Sequence, residues 1–360
     1  MFSHRNNSTI SCVDKGRSAG FTFAAYLNSG LLISVCLFCS ITVSATDANS
    51  EHVVSLDDAI HLLTRTGLGA HPAEVAELTG MTRSHAIETV LQGFSSDAND
   101  RMPAWVDAAP PYMFRPGMLR ADRRQFNQDR NLEFQNLRSW WVEEMLTTAS
   151  PQTERLVLFW HNHFASSYKG LGNLSTGMAR QNRLFREHAS GSFRSLLHGI
   201  LQDAVMLRYL DNNTNRKKAP NENLARELFE LFTLGEGNYT ENDIKEAARA
   251  LTGHTFVQSH NLAFRVISGQ HDAGTKTIFG VTGKFSGHEL VELILDQKKT
   301  AEFIATKFWR HYINENDINE SSIKQWARVF RDSDYDIGAL FKELLQSEDF
   351  WAASNSSFNC

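Results

Sequence analysis

Residues 220–235 (PNENLARELFELFTLG) constrain the fold most strongly, because they form the clearest helical pattern in the chain. Proline is favoured in the first turn of a helix, where a missing N–H costs nothing, and glycine is favoured just past the end. At 100° per residue, apolar and polar residues separate onto two sides. The apolar side carries Leu224, Leu228, Leu231 and Phe232, flanked by Ala225 and Phe229. The segment therefore predicts an amphipathic helix that packs against a core.

The polar side of this helix is rich in charge. Glu222, Arg226 and Glu230 are spaced four residues apart, Thr233 lies on the same side, and Glu227 is beside them. A cation between two carboxylates is typical of a solvated face, where each ion pair contributes about 0.2–0.5 kcal/mol. The same face also suits a wall that binds a metal, a cationic ligand or a proton. In that second interpretation the candidate catalytic residues are Glu227, Glu230 and Arg226, and Glu222 is a candidate metal ligand.

Residues 154–164 (ERLVLFWHNHF) form a second notable run, within a helix predicted to have Ser150 as its cap and Pro151 in its first turn. His161 and His163 are two residues apart, which separates them by about 200° on a helix. Residues at i and i+2 share a face only on a strand, so one of the two histidines at most can face a given site. His163 falls on the aromatic side and is expected to be buried, either as a hydrogen-bonded core residue or in a site. Both are candidate metal ligands.

The remaining pattern predicts a mainly α fold, a multi-helix orthogonal bundle with a small antiparallel β flap near residues 254–285. The flap is predicted from β-branched and aromatic residues interrupted by glycines, as two or three short strands. His271 and Asp272 lie at its turn and are further candidate metal ligands, although a turn Asp more often bonds its own backbone. Ser55 and Thr240 are predicted N-caps, each with an Asp three residues later.

Residues 1–45 have the features of a secretory signal. Arg5, Lys15 and Arg17 supply a basic start, residues 31–43 are apolar, and residues 43–45 (VSA) resemble a cleavage site. An uncleaved anchor is the alternative. We expect Sec-type export to the periplasm or beyond, no stable membrane span after cleavage, and a single mainly helical domain at 46–360.

Cysteine content and net charge limit the function further. Three of the four cysteines lie in the predicted signal, namely Cys12, Cys36 and Cys39, and only Cys360 remains after processing. An internal disulfide or a cysteine-based metal site is then excluded in the mature chain. The formal net charge of −5 gives no electrostatic footprint for nucleic acid.

Four runs in order resemble the bacterial domain-of-unknown-function family numbered 1800. They are TERLVLFWHNHFASS, RYLDNNTNRKKAPNENLARELFELFTLGEGNYTENDIKEAARALTGHTF, HDAGTKTIFGVTGKF and TAEFIATKFW. The resemblance runs from about Leu56 to the C-terminus and implies an exported, largely helical bacterial protein. It also implies a partner, because such proteins are often encoded beside members of a family numbered 1501 that looks related to metal-dependent sulfatases or phosphatases.

Two positions depart from that resemblance. Family members usually carry Trp where this chain has His254, after Thr252-Gly253. They also usually continue well beyond the position of Phe350, where this chain ends in a polar tail. We therefore expect a member that is shortened at its C-terminus.

Three functional hypotheses follow. The first is a metal-dependent extracytoplasmic hydrolase or oxidoreductase, in which His161, His163, Glu222, His271 and Asp272 supply ligands to zinc, iron or manganese. It requires the polar side of the 220–235 helix to face the histidine-containing helix, and it has no HExxH, GxSxG or Walker motif to support it. The second is a non-enzymatic binding or assembly partner of the neighbouring exported protein. The third is a helical haem or cofactor binder with His163 as axial ligand, without covalent haem because CxxCH is absent.

Overall fold

The computed structural model of the chain describes residues 52–107, 117–168, 175–257 and 262–352. The predicted signal at 1–45 and residues 353–360 of the C-terminal tail lie outside these described ranges, so both predictions stay as they are. The described residues all belong to one compact unit, Ser50–Cys360. None of the helices in this part of the chain is both long enough and apolar enough to cross a membrane.

The described part of the chain is mainly helical, as predicted. Its α-helices are α1 (Leu56–Thr66), α2 (Pro72–Leu78), α3 (Arg83–Gln92), α4 (Arg120–Thr147), α5 (Pro151–His163), α6 (Ser175–Glu187), α7 (Phe193–Gln202), α8 (Ala204–Tyr209), α9 (Asn223–Glu227), α10 (Glu241–Ala250), α11 (Gly287–Leu295), α12 (Lys298–Tyr312), α13 (Glu320–Asp332), α14 (Ile337–Gln346) and α15 (Glu348–Trp351). Short 3₁₀ turns lie at Asp97–Arg101, Ala104–Val106 and Asn212–Thr214, and a π-helical segment lies at Leu228–Thr233.

Local side-chain caps start several of these helices. Ser55 and Asp58 form a capping box at α1, and Thr240 and Asp243 form another at α10, both as predicted. Each box satisfies backbone N–H groups that the first helical turn leaves without partners. Ser150 differs from the prediction, because its hydroxyl donates to the Gly93 carbonyl at 2.5 Å and makes no cap bond. The start of α5 is thus fastened to the end of α3.

The predicted β flap is present as two separate antiparallel ribbons. Strands β1 (His254–Val257) and β2 (Ala263–Val266) pair with His254 opposite Val266, and β3 (Lys276–Ile278) and β4 (Val281–Gly283) pair with Lys276 opposite Gly283. The described residues thus contain four strands here, one more than the upper number predicted. The reason is that β3 and β4 are three residues each, too short for an alternating pattern to show.

Aromatic side chains fill much of the core. The Phe159 ring lies 4.8 Å from the Phe308 ring, which joins α5 to α12, and the Trp309 and Trp326 rings lie 5.4 Å apart between α12 and α13. Burial of each large apolar side chain stabilises the fold by about 1.5–3 kcal/mol. This packing fixes the last turns of α5 and α12 beside the central segment, where the candidate site lies.

Candidate functional site

A cleft of about 770 Å³ opens beside the central segment. Its walls come from the last turns of α5, the end of α8, α9 with the π-helical segment, and the last turns of α12. The polar residues that line it are Asn162, His163, Tyr209, Asn223, Glu227, Lys307, Arg310, His311 and Glu315. The cleft is therefore lined both by the histidine-containing helix α5 and by the central segment 220–235, which the metal hypothesis required to lie close together.

The central segment is not the single α-helix that its sequence predicts. It starts at Asn223, after Pro220, and changes to a π-helix at Leu228–Thr233. The Leu234 N–H donates to the Phe229 carbonyl at 2.8 Å, five residues back. Gly235 has φ of +80°, as its predicted role just past the end of the helix requires.

The π turn changes which residues face the core. A π turn holds about one more residue than an α turn, and one residue is worth about 100° of rotation. Leu231, predicted on the buried side, is 49% exposed and lines the cleft. Thr233, predicted on the polar side, is fully buried, and its hydroxyl donates to the Leu228 carbonyl at 2.6 Å. Both predictions are wrong because the 100° periodicity ends at Leu228.

His163 lines the cleft from the end of α5 and is buried, as predicted. Its Nε2 lies 2.9 Å from the Phe232 carbonyl oxygen. A carbonyl only accepts, so the proton is assigned to Nε2, and Nδ1 carries a lone pair. Burial, with a smaller contribution from Lys307, lowers the pKa of His163 to about 3, so the ring is neutral at pH 7. Within the described structure the buried Nδ1 has no hydrogen-bond partner.

Glu227 is the last residue of α9 and lines the same cleft as His163. Burial raises the pKa of the Glu227 carboxyl, and the neighbouring Glu230 raises it further. No ion pair or side-chain hydrogen bond within the described ranges includes Glu227. A half-buried carboxyl with a raised pKa and no fixed partner can exchange a proton with a ligand.

Two cations from α12 also line the cleft without ion-pair partners among the described residues. The Lys307 Nζ lies 4.9 Å from the centre of the Phe303 ring. Burial lowers the pKa of Lys307, and Arg310 one turn later lowers it further. The two side chains therefore repel one another, and an anion bound between them would relieve that repulsion.

His311 lines the cleft between Arg310 and the core. Burial lowers its pKa to about 3, with smaller contributions from Arg155 and Arg65. The His311 ring meets the Phe159 ring edge to face, with the ring centres 5.2 Å apart. The Phe159 ring also lies nearly parallel to the His163 ring, with the ring centres 6.1 Å apart. Phe159 is thus in contact with both imidazoles, and its ring holds their positions relative to one another.

Glu222, Arg226 and Glu230, predicted as part of the site, do not line the cleft. Arg226 donates to Glu222 at 3.2 Å and to Glu241 at 2.8 Å, and these side chains are between 35% and 68% exposed. Glu230 accepts from the Tyr239 hydroxyl at 3.1 Å, and the pKa of Tyr239 is raised to about 12 by burial and by this bond. The ion pairs match the solvated-face interpretation of this part of the helix.

His161 lies on a different side of α5 from the cleft. Its Nε2 is 3.1 Å from Nδ2 of Asn182, and its ring packs between Trp141 at 4.7 Å and Phe185 at 4.6 Å. Burial lowers the pKa of His161 to about 3, with a smaller contribution from Arg186. As the helical geometry predicted, the two histidines have separate surroundings.

His271 and Asp272 are held within the turn before β3. Nδ1 of His271 is 2.9 Å from the Thr252 carbonyl oxygen. Asp272 accepts from Arg249 at 2.8 Å and from the Gly274 N–H at 2.8 Å. The hydrogen bond from Arg249 is the main cause that lowers the pKa of Asp272. The carboxylate is therefore already engaged by Arg249 of α10 and by the Gly274 N–H of its own loop.

The five predicted metal ligands are not brought together. Within the described ranges, the one group of three or more His, Cys, Asp or Glu residues with ligand atoms inside 4.8 Å is His198, His288 and Glu292. Sequence reasoning also missed Lys307, Arg310 and His311. The same helix carries Phe303, Phe308, Trp309 and Tyr312, an aromatic stripe whose simplest interpretation is core packing. The available signal was the row of polar side chains at i, i+3 and i+4 beside that stripe.

A family model described as "Protein of unknown function (DUF1800)" matches residues 61–359. No curated protein matches the chain significantly. No solved structure matches it significantly.

Proposed function

The chain belongs to the DUF1800 family of proteins of unknown function, and from that premise we propose that it is a hydrolase that takes a small anionic substrate into the cleft. The observation that carries this proposal is the set of polar groups without partners that face one space. Glu227, Lys307, Arg310 and His163 all line the cleft. Among the described residues the first three have no ion-pair or side-chain hydrogen-bond partner, and the buried Nδ1 of His163 has no hydrogen-bond partner.

Lys307 and Arg310 are the groups that bind the anion. They lie one turn apart on α12, so both can reach one carboxylate, sulfate or phosphate. Arg310 is exposed and Lys307 is half-buried, which places a cation at the mouth and another deeper in the cleft. A bound anion would be stabilised by both, and negative charge that develops on it during reaction would be stabilised as well.

Glu227 is the general base, and His163 is a positioning residue that holds the cleft wall through its bond to the Phe232 carbonyl. A base works best when its pKa lies near the operating pH, and burial moves the pKa of Glu227 in that direction. With a pKa of about 3, His163 is too weak a base to take a proton at pH 7. Its Nδ1 is buried, so His163 acts through its Nε2 bond to the Phe232 carbonyl, which fixes that part of the cleft wall. Glu227 takes a proton from the attacking water as the water oxygen bonds to the acyl, phosphoryl or sulfuryl centre. The bond from that centre to the leaving oxygen breaks, and the protonated Glu227 returns the proton to the leaving oxygen.

Substitution tests this assignment. The test substrates are 4-nitrophenyl phosphate, 4-nitrophenyl sulfate and the 4-nitrophenyl half-ester of succinate. We expect Glu227→Gln to abolish their hydrolysis while the phosphate, sulfate or succinate product still binds. Lys307→Met with Arg310→Met is expected to weaken binding of that anion by more than about tenfold, since each lost charge contact is worth about 1 kcal/mol or more. Glu222→Gln is the matched control, because Glu222 is on the same segment but outside the cleft. Full activity of Glu227→Gln would contradict the proposal.

A metal-dependent form of the same reaction is supported less well. The donor atoms of His163, Glu227 and His311 do not lie within 4.8 Å of one another as a trio in the described structure. A shared ion bonds each donor at about 2.0–2.2 Å, so the side chains would have to move to hold it. Hydrolysis that survives dialysis against a chelator would support the metal-independent form.

We also propose that the protein is exported, to the periplasm or the medium, through the signal-like segment 1–45. The support is the basic start, the apolar stretch and the small residues at 43–45. N-terminal sequencing of the protein from a periplasmic fraction is expected to begin near residue 46.

The second candidate function is a non-enzymatic partner of the neighbouring exported protein of the family numbered 1501. Its support is one exposed row on α4, at alternating spacings of three and four residues: Leu132, Gln135, Ser139, Val142 and Leu146. Leu132, Val142 and Leu146 are 57%, 54% and 81% exposed. This spacing fits an amphipathic helix of a partner. Val142→Glu with Leu146→Glu would then abolish co-purification of the two proteins and leave hydrolysis unchanged.

A further inference from the structure

We propose that His198, His288 and Glu292 form a binding site for a first-row divalent metal ion such as Zn²⁺. The site lies between α7 and α11 and shares no residue with the cleft. The ligand atoms of the three side chains all lie within 4.8 Å of one another. Two imidazoles with one carboxylate are a donor set that suits zinc, nickel or copper.

The sequence places two of the ligands on one helix face. His288 and Glu292 are one turn apart on α11, so their side chains lie one above the other. The opposite face of α11 is buried, with Leu290, Val291 and Ile294 in the core, which fixes the direction of the polar face. Ser286 caps the helix and fixes its first turn. These two ligands are therefore presented by a rigid element.

The third ligand comes from α7, which packs directly against α11. Nε2 of His198 lies 3.2 Å from Oε1 of Glu292, and the His198 and His288 rings are 4.6 Å apart and inclined by 29°. Two donors on one tetrahedral zinc ion, each about 2.0–2.1 Å from the metal, are about 3.3 Å apart. The His198–Glu292 pair already has that spacing, so His288 has the largest adjustment to make.

Arg194 competes with a metal for Glu292. It is one turn before His198 on α7, and its guanidinium forms ion pairs with Glu292 and, at 2.7 Å, with Asp334. Asp334 is 76% exposed and can keep Arg194 when Glu292 turns to the metal. The exchange replaces the single positive charge of Arg194 beside the Glu292 carboxylate with the double charge of the metal ion, while Asp334 keeps Arg194 paired.

The burial of the three ligands predicts the coordination and its consequence. His288 is exposed, and His198 and Glu292 are half-buried, so an ion can enter from solvent and keep at least one water ligand. Because the ligands come from two helices, a bound ion would link α7 to α11. Binding to the folded state alone raises stability by mass action.

The test uses the full chain with Co²⁺ and Zn²⁺. Co²⁺ bound by two imidazoles and a carboxylate is expected to give visible absorption bands, and Zn²⁺ to raise the melting temperature. His198→Ala and His288→Ala should each weaken Zn²⁺ binding by more than about tenfold in calorimetry, since even outer contacts of metal ligands are worth that much. Arg194→Gln should strengthen it by about fivefold, the worth of about 1 kcal/mol of ion pairing.

His85→Ala is the matched control, because His85 is an exposed helical histidine away from the site, and its binding of Zn²⁺ should be unchanged. If His198→Ala fails to fold, the exposed His288 decides the question. Unchanged Zn²⁺ affinity in His288→Ala, or a Co²⁺ spectrum that persists in it, would overturn the proposal. Absence of any Zn²⁺-dependent stabilisation of the unaltered chain would overturn it equally.

Discussion

The buried ion pair between Glu154 and Arg186 shows what single residues contribute to this fold. Both side chains are at most 1% exposed, and Arg186 donates to the two oxygens of Glu154 at 2.7 and 2.8 Å. The Trp141 indole N–H donates to the same carboxylate at 2.7 Å. One carboxylate thus connects α4, α5 and α6, and neither charge can be hydrated when its partner is removed.

We expect Glu154→Ala to destabilise the protein by about 3–5 kcal/mol, because Arg186 would remain as a buried charge without its main partner. Glu222→Ala is the control, since the Glu222–Arg226 pair is about one-third exposed and should contribute less than about 1 kcal/mol. The measurement is the urea-induced unfolding midpoint of each variant. Equal losses in the two variants would show that burial does not decide the value of these pairs.

At the scale of elements, the two capping boxes differ in what else they hold. The α1 box is exposed, and among the described residues its Asp58 makes hydrogen bonds only with Ser55. The α10 box is half-buried, and the second oxygen of Asp243 accepts the Phe279 N–H at 2.7 Å. Asp243 therefore also connects α10 to the turn between β3 and β4.

Asp243→Ala is expected to cost about 2–3 kcal/mol, which combines a cap with a backbone N–H left without a partner. Asp58→Ala is expected to cost about 0.5–1 kcal/mol, the cap alone. Chemical unfolding of both variants gives the comparison, and hydrogen exchange at Phe279 reports the local effect. Unchanged protection of the Phe279 amide in Asp243→Ala would contradict the assigned connection.

The whole molecule buries several imidazoles in their neutral form. Burial is the leading cause that lowers the pKa of His161, His163 and His311 to about 3 and that of His254 to about 4. The ordinary pKa of His is about 6.5, so between that pH and the lowered pKa values the unfolded chain binds more protons than the folded chain. This stability is complete above pH 6.5 and is lost as the pH falls toward 3.

Asp203 acts in the opposite direction. Burial raises its pKa to about 6 in the folded chain from 3.8. The contribution of Asp203 to the free energy of unfolding is complete below pH 3.8 and is lost as the pH rises through 6. Four histidines outweigh one aspartate between pH 4 and 6, so the net stability falls as the solution is acidified.

Urea unfolding is therefore expected to show lower stability at pH 5 than at pH 7, with each buried histidine contributing about 1.4 kcal/mol per pH unit between its two pKa values. His254→Phe should remove one histidine's share of this slope, because its ring is buried against Phe264. A stability that is flat from pH 7 to pH 5 would contradict the assignment.

The sequence by itself determined the features that depend on neighbours within a few residues. The mainly helical class, the capping boxes at Ser55 and Thr240, the start of α5 at Pro151 and the opposite directions of His161 and His163 were all predicted correctly. Caps, helical rotation and proline geometry act over four residues or fewer, so they are written locally in the chain.

The tertiary structure alone decided which residues meet. The π turn after Glu227 exposes Leu231 and buries Thr233. No local sequence signal marks this turn, because backbone N–H and carbonyl groups pair with one another in an α turn and in a π turn alike. The cleft joins His163 and Glu227 to Lys307 and Arg310, which lie about 80 residues beyond Glu227 and about 140 residues beyond His163. Such encounters depend on the packing of whole helices, whose arrangement minimises exposed apolar surface across the molecule.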